Sequence, residues 1–207
     1  MTTPHVAIID SGGANINSVV FALERLGCKP QFTSDWETIR HASHVVLPGV
    51  GSADAAMRQL QNVGLAEKIP SLSQPVLGIC LGMQLLFESS SEGNVDCLGI
   101  MPGTVGRLGE RRDVTIPHMG WNTNRVVNRH LSPMFAELQD QQYAYFVHSF
   151  AAPLGPFTVA KCQHGDWFSS MVVERNFIGI QFHPERSADF GERLLGQFLQ
   201  LPSQVQV

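Results

Sequence analysis

Short apolar runs alternate along the chain with segments whose apolar residues return every three or four positions. This alternation predicts an α/β fold built on a mixed, mainly parallel sheet. Val6-Ala7-Ile8-Ile9 is continuously apolar, as a strand buried on both faces requires, and it breaks at Asp10-Ser11-Gly12-Gly13. From about Asn15, residues Ile16, Val19, Val20, Ala22, Leu23 and Leu26 recur at helical spacing, and Gly27 supplies a stop. His44-Val45-Val46-Leu47 predicts a second strand, ending in Pro48-Gly49-Val50-Gly51, and Ser52 reads as the N-cap of a helix to about Asn62. Val76-Leu77-Gly78-Ile79 predicts a third strand, followed at once by a helical pattern from Met83 to Phe87. Residues 91–180 read as β-rich, with a late strand over Ile178–Phe182. A closing helix is expected from Ala188 to Leu201, with Leu194, Leu195, Phe198 and Leu201 on one face.

No internal repeat, low-complexity tract or linker divides the chain. The expectation is a single three-layer domain over residues 1–201 and a surface tail over 202–207. A chain of 207 residues buries roughly 70% of its unfolded surface, enough for a sizeable core.

Charge and cysteine usage narrow the function. The net charge of −4 comes without a basic block, which argues against nucleic acid as a partner. No apolar run reaches the ~18–20 residues that span a bilayer, and the N-terminus has no basic region of a signal peptide. Cys28, Cys80, Cys97 and Cys162 are scattered, with no C-x-x-C pair for zinc or dithiol chemistry. Reduced thiols in a cytoplasm fit this pattern, and neither a metal nor a cofactor is expected.

One cysteine has a special setting. Gly78-Ile79-Cys80-Leu81-Gly82 has the form G-x-nucleophile-x-G between a predicted strand and a predicted helix, a nucleophile elbow with sulfur in place of oxygen. A strand-to-helix turn this sharp leaves no room for Cβ atoms at the flanking positions. It sets the sulfur at a helix N-terminus, where free N–H groups favour thiolate. Gln84, four residues on, lies on the same helix face and within reach of a substrate over Cys80. Cys28, Cys97 and Cys162 lack such a setting and read as structural.

A thiol attacking an amide needs a base that later protonates the leaving amine, and histidine serves both steps. Of eight histidines, only His183 ends a predicted strand with a carboxylate close behind, in Gln181-Phe182-His183-Pro184-Glu185. Pro184 holds His183 extended, and a turn there folds Glu185 back onto one ring nitrogen. Nucleophile and base then stand 103 residues apart in sequence but converge in space with the orienter. Gly49 and Gly51 follow a strand and precede a helix. They either donate main-chain N–H groups to an oxyanion or form a plain βα turn.

These three segments together resemble the class I (triad) glutamine amidotransferases, and the resemblance spans nearly the whole chain. Further segments carry it: Asp10 to Asn15, Leu47 to Ser52, Ile116-Pro117-His118-Met119-Gly120-Trp121-Asn122, and Tyr145-Phe146-Val147-His148-Ser149-Phe150. The resemblance implies that Cys80 attacks the carboxamide of glutamine, that His183 moves the protons and that Glu185 orients it. It implies a glutamine site lined by Gly49, Gly51, Leu81 and Gln84, with the main chain of Ser149 and Phe150 holding the amino-acid end. Within the family the chain is similar to glutaminases of histidine biosynthesis, which pass ammonia to a separate cyclase subunit with a (β/α)8 barrel, as a heterodimer. Asn15, Pro117, His118, Met119, Gly120, Trp121, Asn122 and Arg186 would face that partner. Phe150 stands where many relatives carry tyrosine, which removes a side-chain hydroxyl from the site. Two other readings remain open at this point: a stand-alone γ-glutamyl hydrolase or glutaminase of another pathway, and a non-catalytic α/β binding protein.

Overall fold

The computed structural model describes residues 4–12, 16–49, 51–109 and 114–203. Its first half contains β1 (Val6–Ile9), α1 (Asn17–Arg25), β2 (Gln31–Thr33), α2 (Trp36–His41), β3 (His44–Leu47) and α3 (Ala53–Asn62). There follow β4 (Val76–Ile79), α4 (Leu81–Gln84), β5 (Phe87–Ser90), β6 (Val95–Asp96) and β7 (Met101–Arg107). The chain ends with β8 (His118–Val126), β9 (Gln142–His148), β10 (Phe150–Ala151), β11 (Thr158–His164), β12 (Asp166–Glu174), β13 (Phe177–Ile180) and α5 (Ala188–Leu199).

Nine strands form one sheet in the order β2-β1-β3-β4-β13-β12-β11-β8-β9. From β2 to β13 neighbours run parallel. From β13 to β9 every pairing is antiparallel. The sheet is therefore mixed, as expected, but the parallel strands make up one half rather than most of it. Short connections account for two of these pairings: Gly165, at φ +72°, alone separates β11 from β12, Arg175 and Asn176 alone separate β12 from β13, and a tight turn joins only antiparallel strands. A smaller sheet, β10-β7-β5-β6, lies beside it.

Alternate residues of the buried strands enter two cores, which produces the three layers. Val6, Ile8, Val46, Leu77 and Ile79 pack with Leu23 of α1 and Leu194, Leu195 and Phe198 of α5. Ala7, Ile9, Val45, Leu47 and Val76 pack with Ile39 of α2 and Met57 and Leu60 of α3 on the other face. Each large apolar side chain buried this way contributes ~1.5–3 kcal/mol, so the strand ends that carry the site are firmly held.

Some boundaries differ from the sequence reading. The helix expected over Met83–Phe87 runs instead over Leu81–Gln84, and Phe87 opens β5. Leu85, Leu86 and Phe87 are all fully buried, and a short apolar run of this kind suits a strand as well as a helix. The late strand stops at Ile180 rather than Phe182, and α5 at Leu199 rather than Leu201. β2 and α2 carried too few apolar residues to be read: Gln31 and Phe32 are exposed, and α2 buries Ile39 alone. Ser52 occupies the N-cap position of α3, yet its side chain does not cap. Glu92 does so instead, its Oε2 accepting from the Ala53 N–H at 2.9 Å. Of the expected tail, residues 204–207 lie outside the described residues.

Among the described residues, no helix is long and apolar enough to cross a membrane, and no cluster of three or more His, Cys, Asp or Glu suits a metal ion.

Candidate active site

β4 and β13 are neighbours at the centre of the sheet, with Ile79 opposite Ile180. Cys80 and the segment after β13 therefore leave the sheet side by side. The Cys80 N–H still donates to the Ile180 carbonyl at 2.8 Å, so the sulfur hangs from the last rung of a parallel ladder.

Cys80 itself has φ +53° and ψ −111°, a conformation sparsely populated by residues with a Cβ. The flanking glycines permit it. A Cβ at Gly82 would fall onto the Leu47 carbonyl, and one at Gly78 would meet the Gly82 carbonyl oxygen at 2.7 Å. Gly49 packs as closely, because a Cβ there would collide with Leu81 and the Gly82 nitrogen. The elbow and the Pro48-Gly49 turn are thus one interlocked unit, and all three glycines are demanded by backbone approach.

His183 is extended (φ −95°, ψ 100°), and Pro184 begins a short 3-10 helix, Pro184–Arg186. That turn brings Glu185 back, with Oε1 2.8 Å from Nδ1 of His183. The histidine backbone is pinned by its N–H to the Tyr145 carbonyl (3.0 Å) and by its carbonyl to the Ser187 hydroxyl (2.7 Å). Burial pulls the His183 pKa down. Hydrogen bonds to Cys80 and Glu185, with their negative charge, outweigh it and raise the pKa to about 10. The second carboxylate oxygen of Glu185 is buried without a protein partner among the described residues.

Cys80, His183 and Glu185 line one cavity of about 280 Å³, together with Gly49, Gly51, Leu81, Gln84, Ser149 and Phe150. Every residue singled out for catalysis or substrate is thus brought to a single site. Val50, between the two glycines, lies outside the described residues. The other cysteines stay apart: burial raises the Cys28 thiol and pushes Cys97 up to about 11 and Cys162 up to about 12, which keeps them protonated.

Hydrogen bonds within the protein fix two groups of the wall. Both amide hydrogens of Gln84 are used there, because Nε2 donates to the Phe150 carbonyl (2.8 Å) and to Oε1 of Gln181 (3.0 Å). The Phe150 carbonyl also receives Nδ1 of His148 at 2.8 Å, so two donors hold it in place.

Sequence reasoning missed three residues. Glu92 lines the cavity with the carboxylate that caps α3, and its place in the polar stretch Ser91-Glu92-Gly93-Asn94 carries no signal. Gln181, fully buried, directs Nε2 at the Cys80 sulfur from 3.8 Å. His148 also lines the cavity. A signal existed for it: Ala144, Phe146 and His148 fall on the inward face of β9.

The residues assigned to a partner surface divide. Met119 (62% exposed) and Trp121 (54%) are open to solvent, and Pro117 is exposed. Trp121 meets Tyr145 edge-on at 6.1 Å, and the Arg186 guanidinium lies over Tyr145 at 5.0 Å. Gly120 is half-buried at φ +131°. His118 is buried, contrary to expectation, and Asn122 turns inward to it. The alternation of β8 explains this, since neighbouring residues face opposite sides. Asn15 lies outside the described residues.

Comparison with known proteins agrees with this geometry. Residues 7–200 match the family described as glutamine amidotransferase class-I. The chain is 50% identical over 196 residues to the imidazole glycerol phosphate synthase subunit HisH of Xylella fastidiosa (strain Temecula1), covering 95% of this chain and 97% of that one. It is 48% identical, with the same coverage, to the subunit of that name from Xanthomonas campestris pv. campestris (strain 8004). A crystal structure of a glutamine amidotransferase superposes with a TM-score of 0.72 at 20% identity, covering 94% of this chain and 97% of that one.

Proposed function

The chain belongs to the class I glutamine amidotransferases, and from that premise we propose that Cys80, His183 and Glu185 hydrolyse the side-chain amide of glutamine. It is a glutaminase subunit of imidazole glycerol phosphate synthase, in histidine biosynthesis. The observation that carries the catalytic assignment is the strained Cys80 sharing one cavity with His183, whose Nδ1 lies 2.8 Å from Glu185.

In the reaction the Cys80 sulfur attacks the carboxamide carbon and a tetrahedral oxyanion forms. The imidazolium of His183 gives its proton to the leaving nitrogen, ammonia departs and a γ-glutamyl thioester remains. Neutral His183 then takes a proton from water, whose oxygen attacks the thioester. Collapse releases glutamate and returns the sulfur. Glu185 holds Nδ1 of the ring and stabilises its charge throughout. Main-chain N–H groups of Gly49 and Gly51 serve the oxyanion, each such donor supporting about 10²–10³ in rate. Glu92 supplies the negative charge that an α-ammonium group needs, and Leu81, Gln84, Ser149 and Phe150 complete the wall.

The ammonia passes to a cyclase subunit with a (β/α)8 barrel, which makes imidazole glycerol phosphate and an aminoimidazole carboxamide ribotide. Exposed Met119 and Trp121, with Pro117, Gly120 and Arg186 around them, support a heterodimer through this face; aromatic residues are enriched at binding hot spots. Four free cysteines support a cytoplasmic setting.

The test is a glutaminase assay with and without the cyclase. Cys80→Ala abolishes glutamine hydrolysis, while the complex still turns over with added ammonium salt. Glutamine hydrolysis that survives in this variant removes Cys80 as the nucleophile.

A further inference from the structure

A line of polar side chains runs from the inward face of β8 to the cavity, and every hydrogen in it has one possible position. Nδ1 of His148 lies 2.8 Å from the Phe150 carbonyl, which only accepts, so Nδ1 carries a proton. In a neutral ring Nε2 is then an acceptor, and Nδ1 of His118 at 3.0 Å must donate to it. Nε2 of His118 in turn accepts from Nδ2 of Asn122 at 3.1 Å. The orientation of Asn122 is fixed from outside: its nitrogen also donates to the Gln163 carbonyl (3.0 Å), and its oxygen accepts the Thr123 N–H (2.7 Å). Main-chain groups at both ends therefore dictate the direction of the whole line.

We propose that His148 is a positioning residue for the glutamine pocket, holding the Phe150 carbonyl through a tautomer that His118 and Asn122 enforce. The proposal rests on the glutaminase reading for the identity of the ligand. The Phe150 carbonyl also anchors Gln84, which holds Gln181, which donates to the Cys80 sulfur. With the opposite tautomer, Nδ1 of His148 would present a lone pair to the carbonyl oxygen, and the pocket wall would lose its anchor. The surroundings suit neutral rings. His118 is stacked between Phe146 (4.8 Å) and His164 (4.1 Å), and burial, first of all, pushes His118 to about 3 and His148 to about 4. A proton on either ring would set two N–H groups face to face.

Two measurements on the full chain decide the matter. In the unsubstituted protein labelled with 15N-histidine, the rings of His118 and His148 show protonated Nδ1 and unprotonated Nε2 from about pH 5 to about pH 8. Protonated Nε2 on His148, or titration of that ring in this range, overturns the proposal. In glutamine hydrolysis, His148→Leu raises KM about tenfold with a smaller change in kcat. His148→Asn, whose amide nitrogen takes the place of Nδ1, returns KM to within about threefold of the parent. An unchanged KM in His148→Leu also overturns it. A parent chain that fails to hydrolyse glutamine with its cyclase sinks the glutaminase reading instead, and the ring measurement still decides the tautomer.

Discussion

Nε2 of Gln181 stands 3.8 Å from the Cys80 sulfur, while Oε1 of the same amide accepts from Gln84 at 3.0 Å. The amide is fully buried, so its orientation is set by these partners and not by solvent. A donor fixed at this place stabilises negative charge on sulfur before any substrate arrives. Gln181→Leu therefore slows alkylation of Cys80 by iodoacetamide about tenfold. It also lowers stability by ~1–3 kcal/mol, because a Gln84 N–H loses its acceptor. Stopped-flow alkylation and urea unfolding read the two effects separately.

Glu185 acts on the ring of His183 by charge as well as geometry. Glu185→Gln keeps an acceptor for Nδ1 but removes the charge that helps hold the imidazolium, so the His183 pKa falls from its raised value. Glutamine turnover then drops by about 10²–10⁴-fold. An NMR titration of His183 and a kcat measurement on the same variant check that both changes occur together.

The Glu92 carboxylate caps α3 from the cavity wall, and the proposed function gives it a second job there. Glu92→Gln removes the negative charge offered to an α-ammonium group and raises KM for glutamine about 10–100-fold. The weakened cap on α3 costs about 1 kcal/mol at most, seen as a small shift in the urea midpoint. A glutamine analogue lacking the amino group should bind parent and variant equally well in a competition assay.

The glycines separate steric need from conformational need. Gly82→Ala sets a methyl group on the Leu47 carbonyl and destabilises the chain by more than ~3 kcal/mol. Gly27→Ala meets nothing within 4 Å and loses only about 1–2 kcal/mol, the cost of its left-handed φ of +83°. Equilibrium unfolding of the two variants gives the contrast directly.

Stability should peak near neutrality for reasons of opposite sign. His118 and His148 titrate below the unfolded value of about 6.5, so the unfolded chain binds protons first on acidification. Stability falls between about pH 6.5 and about pH 4, by up to about 1.4 kcal/mol per pH unit for each ring. His183 does the reverse: its pKa is raised, so its contribution is complete below about pH 6.5 and disappears as pH rises toward about 10. Urea unfolding across this range, repeated on His118→Leu with His148→Leu, should flatten the acid limb only.

What the sequence made legible was whatever depends on local pattern. The G-x-C-x-G elbow, the H-P-E turn and the Leu194, Leu195 and Phe198 face of α5 each lie within a few residues, and the structure places them as read. The Glu92 cap was invisible because its partner, Ala53, lies 39 residues away. His118 was misplaced for a different reason: the segment was assigned as a block, and β8 turns alternate residues to opposite faces. The order of strands in the sheet, which alone brings residues 80 and 183 together, is a property of long-range pairing that periodicity does not encode.

The central pairing of β4 with β13 joins stretches of chain about a hundred residues apart, and loop closure makes such contacts slow to form. During synthesis the thiol at residue 80 emerges long before the imidazole of residue 183, its proposed base. On that proposal a nascent or truncated polypeptide ending before β13 is chemically idle, and ammonia release begins only when the last strand has docked.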